Sequence, residues 1–165
     1  MNASGKRRAT ALWLLVWLCL LSLSRLAAQT SRGSDIAVVV HPDTPVSNLS
    51  LAEVRRVFLG ERQYWTAKLP VTLFIRAPAA RERHVVLKII YEMTEAQFNQ
   101  YWIAKVIRAE AASPPKIVYS NDSASELVAA IPGAIAFMDA RDVRPGLRVV
   151  RVDGHVPGEP GYPLR

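Results

Sequence analysis

The chain has 165 residues, with 21 Lys and Arg against 14 Asp and Glu, a formal charge of +7 and a single cysteine, Cys19. Setting aside Lys6, Arg7, Arg8 and Arg25, which precede the first acid at Asp35, leaves 17 basic groups and a surplus of only +3. So mild a surplus fits a small anionic solute or a neutral role and does not argue for nucleic acid, and one cysteine excludes a disulfide framework.

Lys6, Arg7 and Arg8 stand before an apolar run, Ala9 to Leu23, and Leu26-Ala27-Ala28 offers small residues before Gln29. That order of charged, apolar and small segments predicts a secretory signal peptide over 1–28. The run is short for a membrane span of roughly 20 residues, so the membrane is met only through this segment. Thr10 and Ala11 argue against twin-arginine export, and Trp17-Leu18 before Cys19 against lipidation. The product is expected to be periplasmic or secreted, with Cys19 removed and stability left to an ordinary core.

Asp35-Ile36-Ala37-Val38-Val39-Val40 reads as a strand buried on both faces. Ser50 and Glu53 form a capping box, and Leu51, Val54, Val57 and Phe58 give the following helix one apolar face. Gly60 ends that helix, and Trp65 follows a polar turn. Val71 to Arg76 is a second strand, and Pro78 opens a helix to about Glu92. Thr94 and Gln97 cap the next helix, which places Phe98, Trp102 and Val106 together. Lys116 to Tyr119 is a short strand. Asn121, Asp122 and Ser123 are N-cap candidates for a helix over about 124–130 with Leu127 and Val128. Pro132-Gly133 turns the chain into the buried strand Ala134 to Met138. Leu147 to Val152 alternates charge in the manner of an edge strand. The residues from Asp153, rich in Gly and Pro, read as a disordered tail over 153–165. Strands alternating with helices predict a single α/β lobe over 35–152, with a mostly parallel sheet flanked by helices.

Four segments carry a resemblance: D-I-A-V-V-V-H-P at Asp35 to Pro42, L-A-E-V-R-R-V-F-L-G-E-R-Q-Y-W at Leu51 to Trp65, F-N-Q-Y-W at Phe98 to Trp102, and I-P-G-A-I-A-F-M at Ile131 to Met138. Together they resemble the phosphate-type solute-binding proteins of bacterial ABC importers, in a short, single-lobe variety. The resemblance implies a periplasmic-binding-protein fold, no catalysis and no cofactor. It implies phosphate or another small oxyanion as the ligand and an ABC permease or another envelope protein as the partner; with one lobe only and no second lobe to close the site, binding is expected to be weak. The alternative is an envelope structural or interaction module that kept the fold and lost the ligand site.

Arg76 matches the family's oxyanion-binding arginine, but Ala79, Ala80, Arg81 and Glu82 stand where the family has a Ser-Gly-Thr turn. The hydroxyl donors are missing there, and Glu82 opposes an anion. An arginine at the end of a strand can fork two hydrogen bonds to an oxyanion, and Arg81 lies in the first turn of the next helix. Arg76 and Arg81 are therefore the candidate anion ligands, with Ser47 and Ser50 as donors at the N-terminus of the capped helix. Their competing roles are solvation for Arg76, a salt bridge to Glu82 or Glu110 for Arg81, and capping for Ser50. His41, His84 and His155 are scattered, with no cysteine or paired carboxylate at ligand spacing, so no metal is expected. No nucleophile–base set or phosphate loop stands out, so neither is an enzyme.

Overall fold

The computed structural model describes residues 34–165. The expected signal peptide, 1–28, lies outside them, and no helix of the described residues is long and apolar enough to cross a membrane.

A five-stranded sheet forms the centre, in the order β6 (Lys116–Val118), β5 (Thr72–Arg76), β7 (Ala134–Asp139), β1 (Ile36–Val40) and β8 (Arg148–Val149). β5 pairs in parallel with β6 and β7, whereas β1 runs antiparallel to both β7 and β8. Four strands thus point one way, and only β1 opposes them. β1 is buried on both faces as its apolar run requires. What buries it is its place inside the sheet rather than a parallel direction. β2 (Asn48–Leu49) pairs with β9 (Arg151–Val152), and β3 (Tyr64–Thr66) with β4 (Leu69–Pro70).

Alternation along the strands makes two cores. Ile36, Val38, Val40, Ile135 and Phe137 face α1 (Leu51–Phe58), α2 (Arg81–Val86) and α3 (Glu95–Ile107). Ala37, Val39, Ala134, Ala136 and Met138 face α4 (Asn121–Ala130). The alanines on this second face let α4 approach closely. Phe58 of α1 stacks on Phe137 with ring centroids 3.9 Å apart, tying the capped helix to the sheet.

Several boundaries differ from the sequence reading. α2 continues into one π-helical segment, Leu87–Tyr91, closed by Glu92 in a left-handed conformation. On α3 the buried positions are Phe98, Trp102 and Lys105, and Val106 is partly exposed, because the helix turns its lysine rather than its valine inward. α4 begins earlier than expected, since Ser120, and not Asn121, Asp122 or Ser123, caps it by accepting from the Ser123 amide. Leu69–Pro70, just before the second expected strand, pairs with Tyr64–Thr66 in the β3–β4 hairpin.

The expectation of a disordered tail over 153–165 is overturned. Tyr162 and Leu164 are buried, the Tyr162 hydroxyl donates to the Ile36 carbonyl at 2.6 Å, and the Ile36 amide donates to the Leu164 carbonyl at 2.8 Å. Two apolar side chains and main-chain bonds to β1 order a segment whose composition showed no periodicity.

The four segments that carried the resemblance lock into one another. The Trp65 indole N–H donates to the Gly133 carbonyl at 2.9 Å. Gly60 lies so close to the Trp102 ring that an added Cβ would meet it at 2.8 Å. These motifs are therefore packing devices of the fold.

Candidate functional site

The C-terminal ends of β5 and β7 and the start of β1 lie at one end of the sheet, since Ile36 pairs with Asp139 and β5 runs parallel to β7. Ligands in open α/β sheets bind at such strand ends. Arg76, Glu82, Asn121, Asp139 and Arg81 meet there.

Arg76 ends β5 with only 11% of its side chain accessible. One terminal nitrogen donates to the Val118 carbonyl at 3.4 Å, and Nε lies 3.9 Å from Glu82. That separation allows charge attraction but no hydrogen bond, and Nε is buried without an acceptor. Glu82, in the first turn of α2, is buried and accepts from the Asn121 side-chain amide at 2.9 Å. The same amide donates to Asp142 at 2.6 Å.

Arg81 does not pair with Glu82 or Glu110. It donates to the Ser34 carbonyl at 2.6 Å and lies 3.8 Å from Asp139. Asp139 accepts two hydrogen bonds from the Arg141 guanidinium, at 3.1 and 3.0 Å. Those bonds, opposed by desolvation, hold its carboxyl well below the usual carboxylate range. Arg83, almost wholly buried, is held by Glu95, donates to the Arg76 carbonyl at 2.9 Å and lies over the Phe98 ring. Each arginine at this end of the sheet faces a carboxylate of the chain itself.

Ser47 and Ser50 make bonds elsewhere and share no partner with Arg76 or Arg81 among the described residues. The Ser47 carbonyl accepts from the Arg151 amide at 2.9 Å. Ser50 exchanges hydrogen bonds with Glu53 in the expected capping box, and the next amide, Leu51, donates to Asp153 at 3.0 Å. The α1 N-terminus is thus closed by protein carboxylates. Sequence reasoning missed Asp139, Asn121 and Asp153. For Asp139 a signal existed, an acid ending a buried strand two residues before an arginine. Asp153 had none, because it reaches Leu51 across 102 positions. Among the described residues, no three His, Cys, Asp or Glu side chains gather as a metal would require.

No protein-family model matches the chain. No curated protein matches it either. Solved structures do. A Clostridium perfringens protein assigned as a phosphate ABC transporter substrate-binding protein, solved with bound phosphate, aligns with TM-score 0.57 and 19% identity over 73% of this chain and 46% of its own. An ABC-type phosphate transport receptor from Vibrio cholerae aligns with TM-score 0.60 and 16% identity, over 75% of this chain and 48% of its own. PstS from Borrelia burgdorferi aligns with TM-score 0.59 and 14% identity, over 75% and 49%. The chain spans about half the length of the structures it matches. It has the fold of phosphate ABC transporter substrate-binding proteins over that half.

Proposed function

We propose that this chain is an exported, non-catalytic, solute-binding-like module of the cell envelope, and that the Arg76 end of its sheet takes a small oxyanion weakly. The buried Arg76 Nε, with no acceptor of its own, carries this reading. An oxygen placed there would satisfy a donor that is costly to leave unmade. The bound phosphate in the Clostridium perfringens structure supports the ligand class. Arg81 contributes charge at the rim, whereas Ser47 and Ser50 serve β2 and the α1 cap. A signal peptide over 1–28 delivers the domain to the periplasm or medium, and its partner is an ABC permease or another envelope protein.

Calorimetry of the exported protein with inorganic phosphate and with sulfate at low ionic strength tests the site. Binding on the order of millimolar, about 4 kcal/mol, should weaken with added salt and vanish in Arg76→Gln. Identical heats for parent and variant would remove Arg76 from the site. The second reading, an interaction module without a ligand, is favoured by Glu82 standing beside Arg76 and by the separate employment of Ser47 and Ser50. It predicts no phosphate heat at all.

A further inference from the structure

We infer that Glu82 is the built-in anion of the Arg76 site and the residue that sets its selectivity against free oxyanions; this rests on the reading of Arg76 as an oxyanion ligand. Carboxylates are almost never buried unless paired, yet Glu82 is only 7% accessible. Its two partners divide the work. Asn121 fixes one carboxylate oxygen at 2.9 Å, and Arg76 faces the other with Nε at 3.9 Å. The pair therefore cancels charge while leaving the Arg76 hydrogen-bonding capacity at Nε unspent.

An oxyanion accepting from Nε must come close to the Glu82 carboxylate. The Glu82 carboxylate is largely withdrawn from water, with 10% of its side chain accessible, and there like-charge repulsion is several times stronger than in bulk solvent. A dianion, such as sulfate or hydrogen phosphate, is repelled about twice as strongly as a monoanion by the same Coulomb relation. Glu82 cannot swing away without giving up Asn121, whose amide is also tied to Asp142. Removing the charge while keeping the shape should convert a weak site into a stronger one.

The test compares the exported parent protein with Glu82→Gln and with the double variant Arg76→Gln, Glu82→Gln, by calorimetry with inorganic phosphate and with sulfate. Urea midpoints measured with and without phosphate read the same linkage even if Glu82→Gln is marginally folded. The double variant controls for the general stabilisation that phosphate gives any protein. Glu82→Gln should bind phosphate at least tenfold more tightly than the parent and gain more in urea midpoint, and the double variant should lose both gains. Equal binding in parent and Glu82→Gln, abolished in the double variant, would keep the oxyanion site and overturn the role of Glu82. Folded proteins with no phosphate binding in any of the three would overturn both.

Discussion

Trp65 donates its indole N–H to the carbonyl of Gly133, 2.9 Å away and fully inside the protein. The β3–β4 hairpin is thereby clamped onto the turn that launches β7. Gly133 has φ of +80°, and a Cβ there would lie 2.1 Å from the Pro70 carbonyl oxygen. Gly133→Ala should therefore cost about 1–3 kcal/mol for the backbone conformation alone, with the collision adding to it. Urea denaturation checks this, and a variant within 0.5 kcal/mol of the parent, an order-of-magnitude margin for neutral substitutions, would refute it.

The C-terminal segment closes the start of β1 through Ile36, Tyr162 and Leu164. Leu164 is wholly buried, so Leu164→Ala should destabilise by about 2–5 kcal/mol. Truncation after Gly158 should do at least as much, because it also removes main-chain partners from β1. Unchanged melting of the truncated protein would show that the segment is dispensable.

Phe58 and Trp102 are both buried, one stacked on Phe137 and the other against Gly60 and the rings of Phe98 and Tyr101. Replacing either with Ala should cost roughly 3–5 kcal/mol, most of the stability of an ordinary domain. Chemical denaturation of the two variants measures it. Losses under about 1 kcal/mol would contradict their place in the core.

Asp139 gives the fold an acid-sensitive contribution. Its folded carboxyl titrates below the unfolded value of about 3.9, chiefly because Arg141 bonds to the ionised form. The stabilisation is fully present above that unfolded value and is lost as pH falls through the lower, folded one. Asp139→Asn should therefore be less stable than the parent at pH 7 and should lose less stability on going to acid. Parallel stability–pH curves for the two proteins would overturn this assignment.

Processing is tested directly. N-terminal sequencing of the exported protein should start at or near Gln29, after the small residues Leu26-Ala27-Ala28. A membrane-retained product that still contains Trp13 and Trp17 would contradict the signal-peptide reading.

Element identity was legible in the sequence wherever the determinant is local. The Ser50–Glu53 box, the Gly60 stop, the apolar run of β1 and the Pro132-Gly133 turn all act within a few residues. Burial and capping then follow from side-chain period and turn chemistry. The resemblance was legible for a different reason: its motifs are short runs whose residues meet strict size requirements where they pack against distant parts of the chain.

Only the tertiary structure decided the direction of β1, the order of the 153–165 segment and the composition of the site. Each depends on partners far away in the chain: Ile36 with Leu164, Leu51 with Asp153, and Glu82 with Asn121. Arg76 could be chosen from its place at a strand end. Whether its charge met solvent, ligand or a carboxylate of the same chain was set by how α2 and α4 bring Glu82 and Asn121 to that end of the sheet. Electrostatic pairing depends on distance in space and on burial, and neither is encoded in the spacing of residues along the chain.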